Sequence, residues 1–280
     1  MLVGFSFVAG SCVTTYSDGR SESTTDDIAT SIRRWFHFSS EDAWQLHEFE
    51  PFRFLKPDSS PLLIAPSPDM PGTDNLIVVA NVPEPLDQGQ MPVGPVFSAG
   101  YVATSVYFSN RFSSYRCSPV YLFQMLNGSA SMAIETGHTL KFLESSGCAR
   151  MSLLPYRTIA DYQRRPDSLA VRDARRFRIT GFGRVDLSDK QQIQNHLALG
   201  RVIITEMVLP ANLVEYSSKV YDEPQGDVMG RQSFALIGYD KAKDRLLFQN
   251  SMGKDWGNDG QVWIPFDWYV RLVVDAFVLY

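Results

Sequence analysis

Between Gln249 and Tyr269 the chain reads Gln-Asn-Ser-Met-Gly-Lys-Asp-Trp-Gly-Asn-Asp-Gly-Gln-Val-Trp-Ile-Pro-Phe-Asp-Trp-Tyr. Glycines 253, 257 and 260, set among Lys, Asp and Asn, describe a polar turn region, and residues 261–265 after it read as a strand. Further strands are expected around this stretch, at 202–208, 233–239, 245–250 and 272–279, separated by Gly, Asp and Asn turns. Toward the N-terminus the pattern changes to helices. Residues 95–111 are apolar on nearly every face, which predicts a helix buried inside a large domain. Helices are also expected at 118–126, at 131–145 with a stop at Gly147, and at 191–199 ending at Gly200. Helices first and antiparallel strands second predict an α+β protein with two lobes.

Before this region the chain is less regular. An apolar start at 1–10 precedes a Ser/Thr-rich turn at 16–25 and an amphipathic stretch at 26–38, where Asp26 and Asp27 suit a first helical turn. Five prolines between Lys56 and Gly72 describe an extended connector. A β-branched run follows at 76–82. These shifts divide the chain into an N-terminal extension of unknown role, 1–74, and a main domain, 75–280. The start lacks a basic segment and its apolar run is short, so a strand is expected there and secretion is not. No stretch reaches the roughly 18–20 apolar residues of a membrane-spanning helix.

Composition narrows the chemistry. A chain of 280 residues with 44% hydrophobic residues can bury a sizeable core. The net charge of −5 argues against nucleic-acid binding by the molecule as a whole. The three cysteines (12, 117, 148) are too few and scattered for a disulfide framework, and their odd number fits a reducing compartment. None of the four histidines (37, 47, 138, 196) forms a closely spaced pair, so no metal or cofactor is expected.

The 249–269 stretch resembles the asparagine-bearing segment of papain-like cysteine peptidases, with Asn250, Ser251, Gly253, Trp256, Gly257 and Gly260 at that family's spacing. Its ending, Trp263-Ile-Pro-Phe-Asp-Trp268, looks more like the bacterial and viral branches. A second stretch, Asp87-Gln-Gly-Gln-Met-Pro-Val-Gly-Pro-Val-Phe97, is similar to the family's Gln-Gly-x-x-Gly-x-Cys motif. Aligned on Gln88 and Phe97 it places Gly94 where the family has its cysteine, with Pro95 in a favoured first-turn position. The resemblance covers about 75–280 and implies a papain-like fold. A helical left lobe at about 90–165 would contain the central buried helix, and an antiparallel, barrel-like right lobe would span about 175–280.

It also implies a family histidine six residues before Gly238, and counting back reaches Gln232. The family mechanism needs a thiolate activated by an imidazole that an Asn carboxamide orients. Gly94 has no side chain, and the Gln232 carboxamide neither accepts nor releases a proton near neutral pH. Met252 replaces the family's shielding Trp, which leaves Gln88 and Asn250, the oxyanion-hole and orienting positions. The expectation is a catalytically inactive pseudopeptidase that acts as a binding or structural protein, for example within a large assembly such as a virus particle. Its partner would be a protein or a peptide segment in the inter-lobe cleft. The alternative is an active hydrolase with a relocated nucleophile, for which Ser98, one turn beyond Gly94, is the candidate. Cys117 and Cys148 are expected as buried structural thiols, and His196 as a surface or hydrogen-bonded residue. Seven arginines between Arg164 and Arg184 stand against only Asp167 and Asp173, as a solvated face or a docking surface for an acidic partner.

Overall fold

A computed structural model describes the backbone of three short N-terminal strands, residue 65, and residues 74–89, 91–126 and 134–280. The N-terminal strands, β1 (Phe5–Val8), β2 (Ser11–Thr15) and β3 (Ser21–Glu22), pair antiparallel in that order. The stretch 26–38 and nearly all of the proline-rich connector lie outside the described residues.

The long apolar run becomes a helix with no exposed face. Every residue of α1 (Val96–Thr104) is buried, and α1 continues into α2 (Ser105–Ser109). α1 is wound as a π-helix, and the Thr104 hydroxyl donates to the Ala99 carbonyl at 2.8 Å inside the widened turn. Gly100 is required by close approach, because a Cβ there would lie 2.1 Å from a Leu122 methyl of α3 (Pro119–Leu126). α4 (Thr136–Ser145) closes the other side of α1. Beyond α2, Phe108, Tyr115 and Phe177 pack ring against ring, and Arg150 lies over Phe177 while gripping the buried Asp173.

The second half forms a seven-stranded antiparallel sheet. β5 (Phe182–Arg184), β10 (Val273–Leu279), β6 (Ile203–Pro210), β7 (Val228–Asp240), β8 (Arg245–Gln249) and β9 (Gln261–Pro265) follow one another across it. β4 (Leu76–Val78) pairs with the far end of β7. The thirteen residues of β7 run through the middle, bonded to β6 along one stretch and to β8 along the next. α1 packs against β6 and β7, which is how a helix without a polar side is enclosed. The architecture is the α+β arrangement expected from the sequence.

Short elements that were not foreseen include α5 (Ser168–Ala174), β5, α7 (Ala211–Val214) and α8 (Phe266–Leu272). None exceeds seven residues, too few for hydrophobic periodicity to register. One residue-level expectation is corrected. Cys117 and Cys148 are not free thiols but are joined in a disulfide across 31 residues. A loop of that size constrains the unfolded chain by about 3–4 kcal/mol in the chain-entropy account. Three scattered cysteines gave no hint of it, because only the return of the chain along Cys148–Arg150 brings the pair together.

Of the two alternatives given for His196, surface or hydrogen-bonded, the structure has the second. The residue lies on α6 (Lys190–Ala198) and is fully buried rather than at the surface. Its Nδ1 faces the Arg201 guanidinium at 3.4 Å, while Nε2 has no hydrogen-bond partner among the described residues. Because Arg can only donate, Nδ1 is the acceptor and Nε2 carries the proton. Burial first, then the Arg201 charge, pushes the imidazole pKa down to about 4. A folded pKa below the unfolded one means that stability is fully present above about 6.5 and lost as pH falls toward about 4, by up to ~3 kcal/mol. Chemical denaturation across that range should therefore give a flatter profile for His196→Gln than for the parent. Parallel profiles would show that His196 does not set this dependence.

Candidate functional site

The site lies where the loop before α1 meets β7 and the turn after β8. The loop is held from two sides: the Tyr156 hydroxyl donates to the Asp87 carbonyl, and Gln88 N–H donates to the Ser251 carbonyl at 2.7 Å. The turn after β8 owes its path to Gly253, Gly257 and Gly260, all at φ between 63° and 79°, where side-chain-bearing residues are strained. Trp256 anchors this turn, buried against Phe234 with its indole N–H donating to the Leu213 carbonyl at 3.0 Å.

These elements bring Gly94, Gln88, Gln232 and Asn250 to one point. A Cβ built on Gly94 would stand 2.7 Å from Gln232 Oε1 and 3.2 Å from the Ser233 amide nitrogen. On its other side, Gln232 Nε2 lies 3.0 Å from Gln88 Oε1, 3.2 Å from Asn250 Oδ1 and 3.2 Å from Ser251 Oγ. Ser251, one of the motif residues but given no role from the sequence, completes the cluster by donating its hydroxyl to Gln88 Oε1 at 2.6 Å. Gln88 Nε2 is turned away and donates to the Met91 carbonyl at 2.7 Å. Asn250 Oδ1 also accepts from the Ser251 amide, and Asn250 Nδ2 has no partner among the described residues. All four polar residues are buried. The cluster is thus a neutral knot of three carboxamides and one hydroxyl. It can fix the two halves of the molecule against each other, but none of its groups gains or loses a proton near neutral pH.

The other candidates are elsewhere. The paired cysteines lie behind α1 and hold no thiol. His138 is exposed on α4, and His196 is enclosed beside Arg201. Of the arginine cluster, Arg184 is drawn into the sheet by Asp275 at 2.9 Å and Arg164 pairs with Asp161 at 3.1 Å. Arg165, Arg172, Arg175, Arg176 and Arg178 remain exposed. Among the described residues no group of acidic, histidine or cysteine side chains is arranged to hold a metal ion.

A second polar string was also missed. Ser98 Oγ lies 2.6 Å from Ser233 Oγ, Ser233 lies 3.4 Å from Thr136 Oγ1, and the Thr136 hydroxyl donates to Glu206. Glu206 and Ser233 are directly opposed on β6 and β7, with Asp275 beside Glu206 on β10. Glu206 is half-buried by surface exposure, yet the protein around its carboxylate is enough to push the pKa up to about 7. Desolvation is the main cause and Asp275 adds to it, while Thr136, Arg231 and Ser233 oppose it. The signal in the sequence was a lone acid in the apolar run 202–210. A folded pKa above the unfolded one means that the contribution is fully present below about 4.5 and lost as pH rises through about 7. Glu206→Gln should remove that loss, so the variant gains relative stability between pH 5 and 8 in denaturation measurements. A constant difference across this range would show an ordinary carboxylate.

Comparison with known proteins agrees with this geometry. Residues 128–269, just over half of the chain and including Gln232 and Asn250, match the family model for papain family cysteine proteases. A cathepsin B-like protein of Giardia intestinalis, CP3, is 33% identical over 75 residues, 26% of this chain and 25% of that relative. The match thus spans a quarter of the relative's length. The fold is shared with xylellain, a cysteine protease from Xylella fastidiosa, at a TM-score of 0.67 and 17% identity, covering 82% of this chain and 95% of that one. It is also shared with procathepsin B S9 from Trypanosoma congolense, at a TM-score of 0.64 and 15% identity, covering 95% of this chain and 91% of that one. By the family match and the shared fold, this chain belongs to the papain family of cysteine proteases.

Proposed function

We propose that this chain is a family member without peptidase activity, which uses the fold as a binding or scaffolding module. The observation that carries the reading is the approach of Gly94 to the Gln232 carboxamide. The position that resembles the nucleophile's has no side chain, and an amide fills the space where an imidazole would stand. Gln88 supports the reading as well, since the N–H groups that could receive a developing oxyanion are directed at the Met91 carbonyl. The partner we propose is a protein, docking an extended segment along the cleft beside this cluster. The Cys117–Cys148 disulfide favours an oxidising compartment over the reducing one suggested by the cysteine count.

The parent should show no turnover on a mixed peptide library. Gly94→Cys alone would press on Gln232 and place a thiol beside an amide, so its alkylation rate should titrate near the ordinary thiol value of about 8.5. The double variant Gly94→Cys with Gln232→His should bring that titration down by a unit or more, because an imidazolium beside the sulfur favours the thiolate. Turnover by the unmodified protein would overturn the proposal. An unchanged thiol titration in the double variant would instead place position 232 out of reach of position 94.

One observation favours a second reading, a hydrolase with its nucleophile moved to Ser98. The string Ser98–Ser233–Thr136–Glu206 ends on a carboxylate that titrates near neutrality, and hydroxyls in series can pass a proton toward it. Ser98 is buried, which opposes attack on a substrate. Fluorophosphonate labelling discriminates the two readings. Modification at Ser98 that disappears in Glu206→Gln would establish the hydrolase, and no modification is expected.

A further inference from the structure

The exposed arginines around α5 form a surface that the cleft does not explain. Residues 164–184 contain seven arginines, no lysine and two aspartates, a local charge of +5 in a chain whose total is −5. Both aspartates are committed elsewhere. Asp167 caps α5, its Oδ1 accepting from the Ala170 amide at 2.8 Å. Asp173 is buried and clamped by Arg150, through the side chain at 2.6 and 3.1 Å and the backbone amide at 3.0 Å. Arg172, Arg175, Arg176 and Arg178 are therefore exposed without an ion pair among the described residues.

Their placement follows from the backbone. α5 buries Ala170, Asp173 and Ala174, so Arg172 and the C-cap Arg175 lie on the opposite stripe, about 5–6 Å apart as helical neighbours, and Arg176 follows exposed in the turn. After α5 the burial alternates, with Phe177 and Ile179 inside and Arg176 and Arg178 outside, which carries the row onward by about 6–7 Å. The row is rigidly backed: Phe177 stacks on Tyr115, and its carbonyl accepts from Cys148, a member of the disulfide.

We propose that this row binds a sulfated polysaccharide. A run of arginines without lysine favours a tetrahedral oxyanion, because the guanidinium fork grips two oxygens of one group while an ammonium offers a point charge. Spacing of a few ångströms between successive cations suits a polymer with several anionic groups per repeat. The disulfide directly behind the row favours an oxidising compartment, which argues against a nuclear or cytosolic polyanion. The inference does not depend on the state of the cleft.

The test uses the full chain and fluorescent heparin oligosaccharides in 0.1 M salt, with fully desulfated heparin, polyglutamate and single-stranded DNA as competitors. The parent should bind heparin and be displaced poorly by the three competitors. Arg172→Glu with Arg175→Glu and Arg176→Glu should weaken binding at least about tenfold. The corresponding Arg→Lys triple variant should weaken it about two- to threefold. Competition by desulfated heparin or polyglutamate as strong as by heparin itself would reduce the surface to a generic cation patch and overturn the proposal. So would stronger displacement by DNA, an unaltered affinity in the Glu variant, or no binding by the parent. The competitor comparison needs no variant, so a misfolded triple substitution leaves the test intact.

Discussion

A helix with no exposed face dictates how the rest of this molecule is arranged. Every residue of α1 is buried, so something apolar has to cover it on all sides. α3 and α4 supply one half of the cover, and β6 and β7 supply the other. The approach to α3 is so close that Gly100 is required. Once α1 is held between helices and sheet, its first turn stands at their junction. Gly94 is consequently delivered to β7, and the loop bearing Gln88 to the turn bearing Asn250 and Ser251.

The junction is polar on both sides of Gly94, but the two sides differ in kind. Toward Gln88 and Asn250 the groups are carboxamides and a serine hydroxyl, which satisfy one another without charge. Toward β6 the string of hydroxyls ends on Glu206, whose pKa desolvation pushes up to about 7. Neutral polar contacts join two halves of a protein at little desolvation cost when each group finds a partner. Asn250 Nδ2, without one among the described residues, is the exception in that knot.

Much of this was legible in advance, and particular residues show why the remainder was not. The run at 95–111 and the strands around 202–279 declared themselves through burial pattern and turn residues, and the 249–269 spacing carried the resemblance. Nothing local said that Ser233 would meet Ser98, or Thr136 meet Glu206. Those partners lie between 70 and 135 residues apart. His196 sits on a helix of ordinary amphipathic appearance, and its enclosure depends on how that helix lies on the sheet. Ser251 stood in the motif beside Asn250, but its role rests on bonds to Gln88 and Gln232, both remote in the chain.

The sequence by itself determined which chemical groups are present: no thiol at 94, no imidazole at 232, carboxamides at 88, 232 and 250, and a surplus of arginine between 164 and 184. No tertiary arrangement can alter that inventory. Tertiary structure alone decided how the groups are spent. It joined Cys117 to Cys148, directed the Gln88 amide at Met91, withdrew Arg164 and Arg184 into ion pairs and left Arg172 to Arg178 facing solvent. The division has a physical basis, since periodicity and turn chemistry act over a few residues, whereas hydrogen bonds, disulfides and desolvation depend on which distant segments packing brings within a few ångströms.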